Sequence, residues 1–432
     1  MKFRQIGFLL VASLLALAAA TTSCNNATSC RKRAVSCNNA CKSCGKKDES
    51  QGKKAALYEN TVSSGEKRNA ARNKKAAFCK NKKAQIGVFD GHGGAQTCIW
   101  EAVAAVSLDP DMSVRTITTS DIAGGILKKL DAVIIPGGGG TTQYLNLGEE
   151  NMERLREFIK SGKGALGICA GAYLFSDTPD YACMRINGAK AIDIEHDNRG
   201  HGVSKFSLTE EGKELFPELA ERELSYVFYY EGPVFVKCDS SSIDYNVLAI
   251  MESDVHEEGN APSNMTNGKP FLITNDLGEG RVASIIAHPE ATPGMMWMIP
   301  RMLRWTLRMP IKEYKSRAVN PDIYNKEILM SVDDLKKESR YYYTFLYASP
   351  EEKVAALDWL QECRSWSAKR WVQGLLFDES PLVRVRAAKF IAETDYLPFL
   401  KDLETAWKVE KEPQAKTEME GYLKSLKSLL PN

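Results

Sequence analysis

The stretch Gly167-Ile168-Cys169-Ala170-Gly171 places a thiol between small residues at the end of an apolar run. A nucleophile raised on a strand-to-helix turn needs neighbours of that size, because the turn is tight and strained. A helix beginning just after the cysteine would aim its N-terminal dipole at the sulfur and favour the thiolate. The competing reading is a small cysteine buried in the core, which is common. A second feature is His288-Pro289-Glu290, directly after an apolar stretch at 282–287. A thiol nucleophile wants an imidazole to take its proton, and the imidazole wants a carboxylate to orient it. Glu290 stands two residues on, the offset at which strand side chains share a face. Of the five histidines, at 92, 196, 201, 256 and 288, His288 alone combines a preceding strand with an acid at that offset. The third feature is Pro136-Gly137-Gly138-Gly139-Gly140. Such glycines let backbone N–H groups approach a substrate and stabilise an oxyanion. A phosphate-binding loop is the rival, but no Gly-Lys-Ser/Thr follows, so it is not a Walker A loop.

These groups need elements to hold them. Strands are predicted at 84–90, 113–119, 132–140 and 164–171, with a helix at 151–162 that stops at a glycine. Strands alternating with helices predict an α/β domain with a parallel sheet, whose working residues collect at the carboxyl ends of the strands. After residue 200 the chain turns richer in β signals, at 227–236, 246–252, 270–276 and 280–290, and a helix at 294–309 closes the domain near 312. Residues 313–349 read as a polar, tyrosine-rich connector. From 350 to 432 the pattern is helical, with prolines at 350, 381 and 413 each opening a similar unit. That spacing resembles HEAT-type repeats; the alternative is a bundle with proline at helix N1 positions.

The N-terminal part differs in texture. Lys2 and Arg4 precede an apolar run ending in small residues, which predicts an export signal over 1–23. Cys24 can then be a lipidated first residue, although Thr21 departs from the usual lipobox. Residues 24–83 lack hydrophobic periodicity, and residues 25–83 hold 16 Lys/Arg against four Asp/Glu, which predicts a basic tether ahead of an acidic body. Cysteines 24, 30, 37, 41 and 44 cluster there. In an oxidising compartment four can pair and leave Cys24 for modification. Cys37, Cys41 and Cys44 match an iron–sulfur spacing, but they follow a leader in low-complexity sequence, so that reading is set aside. The expected location is the periplasm or cell envelope, with possible lipid anchoring through Cys24.

In order, a glycine loop, a cysteine elbow and His-x-Glu about 120 residues later resemble the class I glutamine amidotransferase superfamily. That resemblance implies a flavodoxin-like α/β fold and a triad of Cys169, His288 and Glu290. It also implies an oxyanion hole built from the N–H groups of Gly138 and Ala170. The stretches "FDGHGG", "PGGGG", "GICAGAY", "YYEGPVF" and "GRVASIIAHPE" further resemble the amidotransferase-like domain at the N-terminus of eukaryotic-type biotin–protein ligases, over 84–310. Tyr173 stands where glutaminases usually carry a glutamine-contacting residue. No ligase domain and no ATP-dependent synthetase domain follow in this sequence, so biotin transfer is not implied.

Two functions fit these residues. One is an exported cysteine hydrolase of a small-molecule or peptide amide, with Tyr173, Tyr229, Tyr230 and Glu231 on the substrate side. The other is a non-catalytic binder using the same pocket, with the C-terminal helices docking a protein partner. Neither calls for a cofactor, a metal or a nucleic acid.

Overall fold

A computed structural model describes residues 82–431. The export signal, most of the basic segment and the cysteine cluster at 24–44 lie outside the described residues. Strands β1 (Ala84–Phe89), β2 (Met112–Ile117), β3 (Ala132–Ile135) and β4 (Gly164–Ile168) pair in parallel, in the order β2-β1-β3-β4, and β11 (Gly280–Ile285) continues the parallel run beside β4. Beyond β11 the sheet turns antiparallel. There it adds β10 (Pro270–Leu277), β9 (Asn246–Met251), β6 (His201–Leu208) and β7 (Ser225–Tyr230), and the short β12 (Ile328–Leu329) pairs with β6. A separate pair joins β5 (Ala189–Ala191) to β8 (Phe235–Lys237).

The central strands are apolar on both faces because both faces are covered. Ala132 and Ile134 of β3 enter one core, and Val133 and Ile135 enter the other. Helix α1 (Gln96–Val106) lies over the first face, while α2 (Thr119–Ala123) and α3 (Gly140–Lys160) cover the second. Burying a side chain such as Ile86 or Ile134 contributes about 1.5–3 kcal/mol, so a polar residue at either position would break this layer. The short α4 (Ala170–Phe175) follows β4, α5 (Glu210–Leu215) follows β6, and α6 (Met298–Thr306) packs on β4 and β11. This is the parallel α/β architecture that the alternating pattern predicted, in the flavodoxin-like form that the resemblance implied.

Two local expectations needed correction. The helix predicted at 151–162 begins at Gly140, directly after the glycine run, and carries non-helical Gly148 (φ 71°, ψ 157°) inside it. Its polar, glycine-containing first half masked the periodicity. The stretch 227–236, predicted as one strand, breaks into β7 and β8, with Glu231 between them at φ 51°.

A distinct all-α region follows: α7 (Val332–Tyr347), α8 (Pro350–Glu362), α9 (Lys369–Leu375), α10 (Pro381–Glu393), α11 (Leu400–Val409) and α12 (Pro413–Lys427). Pro350, Pro381 and Pro413 are each the first helical residue, where the missing N–H costs nothing. Ser349 caps α8 by accepting from the Glu352 amide, and the Glu352 carboxylate returns the bond to the Ser349 amide. Helix α10 packs between α8 and α12, so the three proline-led helices stand side by side as stacked repeats do. No described helix is long and apolar enough to cross a membrane.

Candidate active site

Four loops meet at the carboxyl ends of β1, β3, β4 and β11. The loops after β1 and β3 are laced together: the Ala95 amide donates to Gly137 O at 3.0 Å, and the Gly139 amide donates to Gly93 O at 2.8 Å. Neither bond uses the N–H of Gly138. Gly138 has φ 143°, and a Cβ there would lie 2.1 Å from Gly93 O, so glycine is required.

After β4 the chain turns sharply at Cys169, which holds φ 51° and ψ −107° before α4 begins at Ala170. That backbone is sparsely populated for a residue with a side chain and is held by its surroundings. The Cys169 amide donates to Ile285 O at 2.9 Å, and Gly171 packs so tightly that a Cβ would meet Ile135 O at 2.0 Å. Cys169 is buried, and its thiol donates to Tyr230 O at 3.3 Å. Ala170, as the first helical residue, has an amide without an intrahelical acceptor.

His288 follows β11 and is anchored by its amide donating to Phe228 O at 2.7 Å. Its Nδ1 bonds Glu290 Oε1 at 2.7 Å, with both residues 1% exposed. The two-residue offset expected of a strand is supplied instead by a 3₁₀ turn over Pro289–Ala291. Nε2 has no hydrogen-bond partner, which leaves it able to exchange a proton with a thiol. Full burial works against a charged ring. The Cys169 sulfur and the Glu290 carboxylate outweigh it, and the His288 pKa is held well above its ordinary value.

A second thiol completes the cluster. Cys98, near the start of α1, has its sulfur within 4.8 Å of the ligand atoms of His288 and Glu290. The Cys98–His288–Glu290 cluster is buried throughout and has the composition of a catalytic triad. Burial pushes the Cys98 thiol up to about 11, although His288 pulls it down. So His288 is flanked by two cysteines, of which sequence reasoning found one. The missed signal was the Cys98 position itself, four residues after the "GHGG" glycines.

A cavity of about 400 Å³ opens on this cluster. Gly138, Ala170, Tyr173, Tyr230 and Glu231 line it. Tyr173 offers its ring only, because its hydroxyl donates to the buried Asp193, itself paired with Arg199 at 2.7 Å. Tyr229 does not belong to the substrate side. Neighbouring residues on a strand face opposite ways, so Tyr229 points into the core, where its hydroxyl accepts from Arg199 Nε at 2.9 Å and donates to Gly232 O at 2.7 Å. Glu231 is half-buried, and its pKa rises to about 7 through burial and the charges of Glu258 and Asp197.

The helical region supplies part of the wall through Trp366, Ser367 and Arg370. The Trp366 ring lies against His288 with centroids 4.5 Å apart, and its indole N–H donates to Glu101 Oε1 at 3.0 Å. Buried Lys369 donates to Ala291 O at 2.8 Å and to Glu101 Oε1 at 3.3 Å. Cys98 and Glu101 lie three apart on α1, one turn, so one helix face carries both the second thiol and the helical region's anchor.

The comparisons with known proteins fit this geometry. The chain is 26% identical over 182 residues to the phosphoribosylformylglycinamidine synthase subunit PurQ of Pyrococcus horikoshii, covering 38% of this chain and 72% of that one. It is 31% identical over 135 residues to the pyridoxal 5'-phosphate synthase subunit PdxT of Clostridium acetobutylicum, covering 30% of this chain and 70% of that one. The glutaminase domain of Trypanosoma brucei CTPS aligns with a TM-score of 0.35 and 9% identity over 54% of this chain and 99% of that one, too distant to argue from. Residues 84–305, just over half of the chain, match the family described as biotin-protein ligase, N terminal. With its glycine loop, cysteine elbow and His-Glu pair on one flavodoxin-like sheet, the chain belongs to that family, within the class I glutamine amidotransferase-like superfamily.

Proposed function

We propose that this protein hydrolyses an amide or related acyl bond through a thioester on Cys169. The observation that carries this reading is Cys169 itself, held at φ 51° between a strand and a helix in a cavity it shares with His288. His288 takes the thiol proton, and Glu290 orients the ring through Nδ1. The sulfur attacks the carbonyl carbon, and the amides of Gly138 and Ala170 stabilise the oxyanion. The C–N bond then breaks, and His288 returns the proton to the leaving nitrogen. Water, deprotonated by the same ring, attacks the thioester, releases the acid and restores the thiol. Nothing in this cycle requires a cofactor. The leader and Cys24 support a place outside the cytoplasm, anchored at the envelope, and the helical region supports a protein partner there.

The test separates the two cysteines. The full chain is exposed to a thiol-reactive probe across pH and to an amide panel with ammonia detection. Cys169→Ser should abolish turnover, a loss of at least about 10³-fold, and remove the fast-labelling thiol; Cys98→Ser should leave both in place. Turnover that survives Cys169→Ser, or a Cys169 that labels no faster than a model thiol, would end this reading.

A further inference from the structure

The proposed reaction leaves Cys98 without a role, and the cluster around it has the chemistry of a metal site. We propose that Cys98, His288 and Glu290 bind one thiophilic divalent cation, of the Zn²⁺ class. Their ligand atoms already lie within 4.8 Å of one another, and all three residues are buried. A thiol, an imidazole and a carboxylate form a donor set that such ions favour over Mg²⁺ or Ca²⁺. Two of the donors have unmet capacity: His288 Nε2 and Glu290 Oε2 are buried without a hydrogen-bond partner. Nδ1 faces Glu290 and Nε2 faces away from it, so one ion reaches both residues only after the ring turns, and it would then satisfy Glu290 Oε2, which the folded chain otherwise leaves bare.

The charges balance as well. On binding, the Cys98 thiol releases its proton to solvent and His288 gives up the one it carries to the Cys169 sulfur or to solvent, so that thiolate plus carboxylate neutralise the two positive charges of the ion beside a neutral imidazole. Glu101 is already matched by Lys369 at 3.3 Å, so the filled site adds no net charge to a dry interior. Bonds of about 2.0–2.3 Å in a tetrahedral ion place ligand atoms roughly 3.3–3.8 Å apart. The cluster must therefore tighten from separations of up to 4.8 Å toward that spacing, and the ring must release its 2.7 Å contact with Glu290. The fourth position faces the cavity that Cys98 and His288 both line. An occupied site engages the imidazole that Cys169 needs, so cation binding and turnover exclude each other.

The test reads binding rather than activity. Cysteines 24, 30, 37, 41, 44 and 79 are changed to serine in the full chain, which removes competing thiols. Co²⁺ is then titrated into the reduced protein. The expected result is one equivalent bound with a thiolate-to-cobalt charge-transfer band in the near ultraviolet, displaced by Zn²⁺. Cys98→Ser and, separately, His288→Gln should remove the band, with far-ultraviolet circular dichroism confirming the fold of each. Glu290→Gln should weaken Zn²⁺ competition at least tenfold, and Cys169→Ser should leave the band intact. Absence of a band at stoichiometric Co²⁺, a band that Cys98→Ser does not change, or a band that Cys169→Ser abolishes would each overturn the proposal.

Discussion

At the scale of single residues, the site is a set of groups held away from their preferred states. Cys169 keeps a backbone that glycine would adopt more cheaply, and His288 keeps its ring buried between two thiols and a carboxylate. Glu231 shows the same tendency on the opposite wall. Its folded pKa of about 7 lies above the ordinary 4.5. As pH rises through that window, the unfolded chain loses this proton first, so stability falls between pH 4.5 and 7 and the penalty is complete above 7. Glu231→Gln should remove that slope and gain about 1–2 kcal/mol at pH 8 after solvent screening of a half-buried group, with little change at pH 4. Chemical denaturation at the two pH values measures it, and an equal effect at both would contradict the assignment. Cys169, His288 and Glu290 were legible in the sequence because each sits in a short local motif that ends a strand. Cys98 was not, because nothing near it in the sequence says that α1 presents it to a histidine 190 residues away. Tyr229 was misplaced for a smaller reason: a strand's register decides which of two adjacent tyrosines meets the cavity.

At the scale of elements, α1 and α9 act as one device across the interface between the α/β domain and the helical region. Glu101 accepts from both Trp366 and Lys369, and its other oxygen has no partner. Breaking a buried pair by removing one partner strands the other charge. Lys369→Met should therefore cost about 3–5 kcal/mol, and Lys369→Met combined with Glu101→Leu should recover much of that loss. Thermal unfolding of the two variants checks it; a single variant as stable as wild type would refute the pairing. The strands and their glycine ends were readable because alternation and glycine punctuation are local. The role of α9 and the turn before it was not readable, since the contacts of Trp366 and Lys369 with Glu101 span 265 and 268 residues of sequence. The proline-led helices α8, α10 and α12 are visible in the sequence as a repeat, and they pack side by side. Their apolar faces, however, do not say which wall they complete.

At the scale of the molecule, the helical region and the α/β domain share one apolar cluster, which runs from Ile86 to Leu429 and includes residues of both. Buried Asp395 adds a tie to Arg317, at 2.9 Å through Nη1. A shared core unfolds as a unit, so calorimetry of the full chain should show one cooperative transition for residues 82–431. Two resolved transitions would show that the regions are independent. Deleting 350–432 should lower the melting temperature and expose His288, because Trp366 leaves with the deleted segment. Faster alkylation of Cys169 in the truncated chain is the matching readout.

The contact between Trp366 and His288 has one more consequence. An indole 4.5 Å from an imidazole is a fluorophore placed at the reacting centre. The sequence holds seven tryptophans, so their summed emission is crowded, but subtracting the spectrum of Trp366→Phe isolates this one. What remains is an intrinsic optical gauge: alkylation of the thiol, loading of a cation or entry of an amide each alters the ring beside it and changes its quantum yield. The chain carries its own dye, and ligand screening can begin by watching light rather than by guessing a substrate.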